Sequence, residues 1–263
     1  MVGCGNQQSS TTAEPEAFAK ATEQAQEELL TEFKEMMERV PVCKSVTVTA
    51  EESSVFKNDN DETISSKTVY KFDETGLKPR TSAEAEIGDV KLAYYTEGDD
   101  AVYVTDGPVY SGTTEQFGLD FSDGVHTYLK GIIGEPGVLV DCASNVEKTE
   151  EDELTLYTLT LDIDKYTATD EALQYWAEAG NPLSDALITV GFSKDGSICS
   201  IDKKLEYKDI VALWSLVLSD HDNTVVDPMP AATKTYEEME ADMAEKFEEA
   251  FADEEPSDTA ESN

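Results

Sequence analysis

Over residues 14–39 apolar side chains return every third or fourth position, at Phe18, Ala21, Ala25, Leu29, Phe33, Met36 and Val40, until Pro41 ends the run. That spacing predicts an α-helix with one face against a core, and proline cannot continue it. Beyond Pro41 the period becomes two. Val46, Val48 and Ala50 alternate with Ser45, Thr47 and Thr49; Tyr70 and Phe72 close a threonine-rich run from Thr63; Ala83, Ala85 and Ile87 alternate with Ser82, Glu84 and Glu86. Side chains of a strand point alternately to its two faces, so these are half-buried strands. Turn residues separate them at Asn58-Asp59-Asn60-Asp61, Asp73-Glu74-Thr75-Gly76, Gly88-Asp89 and Gly98-Asp99-Asp100. Connections this short leave no room for crossover helices, which makes residues 45–106 an antiparallel meander.

The stretch PVYSGTTEQFG breaks the rhythm, and a short helix is expected over 122–133, weakened by Gly124. GVLVDCASNVEK and ELTLYTLTLDI flank an acidic turn at 149–152 and predict a hairpin, its second strand apolar enough to be covered on both faces. TDEALQYWAEAG predicts a helix over 169–180, with Thr169 as N-cap and Gly180 as its stop. ALITVGFS and SICSIDKKLEY are joined by Lys194-Asp195-Gly196, a hairpin signal, and VALWSLVLS is a last strand running into DHDNTVVDPMP. Tyr236, Met239, Met243, Phe247 and Phe251 form a thin stripe on an otherwise acidic helix, expected to dock loosely and to be dispensable to the fold. Residues 5–13, GNQQSSTTA, have the composition of a flexible tether, and EEPSDTAESN that of a disordered tail.

Charge narrows the choice of partners. With 57 acidic and 19 basic residues the formal net charge is -38, which opposes approach to nucleic-acid phosphates or an anionic lipid surface and favours ligands with neutral or cationic head groups. Nucleic acid is therefore excluded. Solubility and a salty habitat both account for such acidity. No run reaches the roughly 20 apolar residues of a spanning helix, the longest being 211–218. Four cysteines, Cys4, Cys43, Cys142 and Cys199, include no C-x-x-C pair, and there are two histidines far apart, so neither a zinc site nor another metal or cofactor is expected. Cys142 and Cys199 both fall in strand-like segments and could pair as a disulfide; three buried hydrophobic thiols are the other reading.

Nor does the chain carry an enzyme's constellation. His126 has Asp120, Ser122 and Asp123 nearby without a G-x-S-x-G elbow, which describes a surface helix better than a triad. His221 lies in Asp220-His221-Asp222-Asn223, but a calcium loop needs glycine where Val225 stands, so a turn that hydrogen-bonds to itself is expected.

The order of these elements, with YYTEGDDAVYVTDG (94–107), LTLYTLTLDI (154–163), ITVGFSKDGSICSIDKKLEY (188–207) and the closing LSDHDNTVVDPMP (218–230), resembles the LolA/LppX-type bacterial lipoproteins. That resemblance implies an α+β fold in which a strongly curved antiparallel sheet, a half-barrel, holds helices on its concave side. It would span residues 14–233 as a single domain, after a lipidation site and tether at 1–13 and before an acidic helix and tail at 234–263. MVGC then resembles a lipobox, with a signal segment before Met1 and a lipid on Cys4, which places the protein at the extracytoplasmic face of the cell membrane. The implied function is to bind or carry a lipid or other amphiphile, and the residues expected to line the cradle are Val46, Val48, Tyr70, Phe72, Leu92, Tyr94, Tyr103, Trp176 and Trp214. The alternative is a lipid-anchored surface module with a filled core, no lipid ligand and a protein partner in the envelope.

Overall fold

The structure, a computed structural model, describes residues 14–57, 62–151 and 153–252. Cys4 and its tether, the 58–61 turn and the C-terminal tail lie outside the described residues. In chain order the elements are α1 (Glu14–Glu38), β1 (Ser45–Phe56), β2 (Thr63–Asp73), β3 (Arg80–Ile87), β4 (Val90–Glu97), β5 (Asp100–Val104), β6 (Val109–Thr113), α2 (Thr114–Phe117), a 3₁₀ turn (Asp120–Asp123), α3 (Val125–Ile133), α4 (Pro136–Cys142), β7 (Ala143–Glu151), β8 (Leu154–Leu161), α5 (Ile163–Ala168), α6 (Glu171–Glu178), β9 (Leu183–Phe192), β10 (Ile198–Tyr207), β11 (Ile210–Ser219), β12 (Lys234–Thr235) and α7 (Tyr236–Ala252). The strands belong to one open sheet ordered β12-β6-β5-β4-β3-β2-β1-β11-β10-β9-β8-β7. Its ladders from β2 to β6 and from β7 to β10 are antiparallel, and the short β12 runs parallel to β6. This is the α+β class expected from the sequence. The chain divides into two compact units: Met1–Val42, Ser53–Ile64 and Ile133–Leu216 form the first, Cys43–Glu52, Ser65–Ile132 and Val217–Asn263 the second.

In the first unit one face of the sheet is a continuous apolar surface. Tyr157 pairs with Val190 and Leu159 with Ile188 across β8 and β9, and Ile201 continues the row on β10. All five are buried. Phe33 of α1 drops onto this surface, its ring 5.7 Å from Tyr157 and 6.4 Å from Phe192, and Tyr166 of α5 and Leu173 of α6 are buried with it. The other face of β8 is only half-covered, so the strand expected to be buried on both sides is buried on one. At the edge strand β7, the Gln26 side chain accepts from the Val146 N–H (2.7 Å) and donates to the Val146 carbonyl (3.1 Å). One glutamine thus does for this edge what a neighbouring strand would do, and blunts it against pairing with another chain.

Three further expectations fail in this unit. GVLVDC is the helix α4, with Pro136 at its first turn where a missing N–H costs nothing, and α6 takes Asp170 rather than Thr169 as its N-cap. The Cys142–Cys199 disulfide does not form either: both are free thiols, as is Cys43. Register gives the reason. Cys142 ends α4 beside the Ala143↔Leu161 rung, whereas Cys199 lies by the Phe192 end of β10, six residues from Leu205, which pairs with Ala186. Three strand spacings across and some six residues along amount to more than about 20 Å, and a disulfide needs Cα atoms within about 7 Å.

In the second unit the meander forms as expected, with Gly88 (φ 59°) and Gly98 (φ 63°) taking the left-handed turn positions. Asp73, its side chain 6 % exposed, ends β2 by accepting from Arg80 Nη2 at 2.7 Å and from the Thr75 amide at 3.0 Å and hydroxyl at 2.5 Å. The PVYSGTTEQFG stretch is not irregular: it is β6 followed by α2, whose Thr113 and Gln116 form a reciprocal capping box. Gly112 is needed there, since a Cβ would come within 2.9 Å of the Phe117 ring. The helix expected over 122–133 begins at Val125, because Gly124 takes φ 97° and breaks it from the 3₁₀ turn.

The C-terminal helix expected to dock loosely is anchored over its first two turns. Tyr236 packs edge-on to Phe117 at 5.2 Å, Met239 is buried, and Asp242 accepts from Tyr110 (2.8 Å) and from Lys234. Only farther along does the stripe emerge, with Met243 exposed. The DHDNT loop closes on itself and on the start of β1: Asp222 accepts from the Lys44 amide at 2.7 Å and Thr224 donates its amide to Ser45 Oγ at 3.1 Å.

Candidate functional site

Register places one side chain from each of five neighbouring strands on a single line across the second unit: Tyr70, Ala83, Tyr94, Tyr103 and Tyr110. Tyr94 and Tyr103 stack at 4.6 Å, and Tyr103 and Tyr110 at 6.2 Å. Over this row lie Phe117 of α2, Phe121 of the 3₁₀ turn and Tyr128 of α3, with Met239 of α7 at the β6 end. We call this the covered face. Burial pushes the Tyr94 and Tyr103 phenols up, as expected where ring packs on ring away from water.

The cover stops at the tyrosines. The next two rungs of the same face, Ala85–Leu92 and Ile87–Val90, run toward the β3–β4 hairpin tip. Leu92 is half-buried against the row, while Ile87 is 45 % and Val90 52 % exposed. An apolar strip thus leads from Tyr94 to the tip, four residues and so about 13 Å long.

Two polar groups interrupt the aromatic lining. Glu52 continues the inward register of Val46, Val48 and Ala50, and burial raises its carboxyl above the usual range. The Tyr128 hydroxyl is buried with no hydrogen-bond partner among the described residues; it lies near the Tyr70 hydroxyl without the geometry of a bond, and burial drives its pKa upward.

In the first unit the inward-facing polar group is Lys203, between Ile201 and Leu205 on β10. Its ammonium sits over the Trp214 ring, 5.6 Å from the centroid, and burial lowers its pKa while Asp170 partly restores it.

Of the nine residues expected to line a cradle, Val46, Val48, Phe72 and Tyr103 are buried wall. Tyr70, Leu92 and Tyr94 belong to the half-open part of the same unit. Trp176 and Trp214 belong to the first unit, Trp176 being 44 % exposed beside Tyr207 at 6.3 Å and Trp214 half-buried under Lys203. Sequence reasoning passed over Glu52, Tyr128, Ile87 and Val90. Glu52 and Ile87 did carry a signal, each standing in an inward register of period two. Of the other residues weighed, His126 is exposed on α3, and no cluster able to hold a metal occurs among the described residues.

No protein-family model matches the chain, and no curated protein matches it in sequence. Among solved structures it is similar to LprF from Mycobacterium bovis, at 12% identity over 80% of this chain and 98% of that one, with a TM-score of 0.40. It is similar also to the lipoprotein LppX of Mycobacterium tuberculosis, at 14% identity over 75% and 97% of the two chains with a TM-score of 0.43. A LolA superfamily protein from Nitrosomonas europaea matches at 11% identity over 78% and 94%, with a TM-score of 0.24.

Proposed function

We propose that the chain is an extracytoplasmic lipoprotein, anchored through a lipid on Cys4, that binds the apolar chain of an amphiphile along the covered face of its second unit. The observation that carries this is the open strip: from the half-buried Leu92 the apolar face continues to Ile87 and Val90, which are exposed at the hairpin tip. Ile87 and Val90 add their exposed surface directly to the aromatic row, so that the apolar face is continuous from the covered tyrosines to solvent. An acyl chain laid there gains about 0.8 kcal/mol per buried methylene, so about ten methylenes yield about 8 kcal/mol before ordering costs, ample for micromolar binding.

The module with a filled core is favoured by one observation of its own, the closure of the tyrosine row by Phe117, Phe121 and Tyr128. The two readings part at the hairpin tip. Titration with dodecyl maltoside below its micellar concentration should give saturable micromolar binding that Ile87→Asp weakens about tenfold or more, since a carboxylate would have to be desolvated against the chain. Ile87 is exposed, so the variant keeps its fold. Absence of saturable binding to the unaltered protein would leave the filled module as the better account.

A further inference from the structure

The apolar strip accounts for the chain of an amphiphile and leaves its head group without a seat. Glu52 supplies one. Its neighbour Glu51 points outward and pairs with Lys67 at 2.7 Å, whereas Glu52 turns inward, half-buried, and makes no hydrogen bond or ion pair among the described residues. A carboxylate held away from water without a partner is costly unless something charged or hydrogen-bonding comes to it.

Two phenols stand on neighbouring elements. Tyr70 stands on the next strand, β2, and Tyr128 packs on Tyr70 with ring centroids 4.6 Å apart. The charge of Glu52 is felt by both phenols, and the Tyr128 oxygen is buried without a hydrogen-bond partner among the described residues. One carboxylate, two phenol oxygens and two ring faces suit a cation: an ammonium can donate to the oxygens, and a quaternary ammonium can rest on the rings. An anionic head would meet Glu52 with like charge, and a neutral sugar would gain no ion pair.

We infer that Glu52, Tyr70 and Tyr128 form a recess for the cationic head group, a primary or quaternary ammonium, of the amphiphile whose chain lies along the strip. This rests on the proposed function and specifies its ligand. Lys203, the inward cation of the first unit, is seated on Trp214.

Three probes of matched chain length test it at physiological salt: dodecyltrimethylammonium, dodecyl maltoside and dodecanoate. The unaltered protein should bind the ammonium about tenfold more tightly than the maltoside, the size of one charge-assisted contact. Glu52→Gln should abolish that preference and leave maltoside binding unchanged, and Glu52→Lys should turn it toward dodecanoate. Tyr128→Phe should weaken a primary dodecylammonium more than the trimethyl form, which has no N–H to donate. A preference that survives Glu52→Gln would come from the diffuse charge of -38 and would overturn the recess. Equal binding of all three probes would overturn it too while leaving the chain site standing; binding of none would overturn the chain site and the recess together.

Discussion

Each unit turns an acidic or basic side chain toward its covered face, and the two are treated differently. In the first, Lys203 has the Trp214 ring beneath its ammonium and the field of Asp170 nearby, and the apolar surface around it is sealed by Phe33, Tyr166 and Leu173. In the second, among the described residues, Glu52 has no hydrogen-bond or ion-pair partner and the Tyr128 hydroxyl is buried without one, and the apolar face continues past its cover to Ile87 and Val90. Folding alone explains the first arrangement, in which the ammonium is seated on a ring and the apolar surface is packed. The second leaves polar groups and apolar surface unsatisfied together, which is what a binding face requires before its ligand arrives.

The largest effect should separate the sealed face from the open one. Phe33 is wholly buried between Tyr157 and Phe192, so Phe33→Ala should cost about 3–5 kcal/mol in chemical denaturation. The half-buried Leu92, cut to alanine, should cost less than half as much. Equal losses would mean that the strip is as tightly packed as the core and has no room for a ligand.

Next in size is Asp73, a buried acid of the second unit that does have its partners. Thr75, by its hydroxyl and amide, and Arg80 hold the Asp73 carboxyl below its usual range. A depressed folded-state pKa contributes stability that is present above the unfolded value and lost as pH falls through the folded one. Asp73→Asn should therefore cost about 2 kcal/mol at neutral pH, and the difference from the parent should shrink in acid. A loss that stayed constant down to about pH 2, well below the usual Asp range, would assign it to shape rather than charge.

Glu52 should behave in the opposite sense, and more weakly. Burial raises its folded-state pKa, so the folded protein loses stability as pH rises from the ordinary carboxylate range through that raised value. Tyr70 and Tyr128, the groups it faces, stay neutral throughout because their own pKa values are raised. Glu52→Gln should thus raise Tm slightly at about pH 7, and the gain should vanish by about pH 3.5. If the substitution lowers Tm instead, Glu52 has a structural partner and the contrast with Lys203 collapses.

The sequence made much of this legible and hid the rest for identifiable reasons. Period two displayed the inward set Val46, Val48 and Ala50 and the strands of the meander, because local alternation is all a half-buried strand requires. It displayed Glu52 as well, but among 57 acidic residues one more carboxylate carries no signal until its neighbours are known. The tyrosines could be picked out singly. Their alignment into one row depends on the register of four hairpin ladders, and their cover on Phe117, Phe121 and Met239 arriving from distant segments. Pro108 and Gly112 masked β6, and Val-Leu-Val masked α4 as a strand although Pro136 marked a helix start. For the same reason the docking of α7 was missed: its acidic surface is visible in sequence, its buried Met239 and its Asp242–Tyr110 bond are not.

If the second unit carries an amphiphile on a protein tethered by Cys4, native mass spectrometry of the full-length protein, expressed behind a bacterial leader and released gently from the membrane, detects both lipids at once. The predicted spectrum shows the polypeptide with a diacylglyceryl group on Cys4 and one further, dissociable lipid that Ile87→Asp removes without altering the anchor. A polypeptide that carries no dissociable lipid in any preparation, or one whose lipid survives Ile87→Asp, would contradict it.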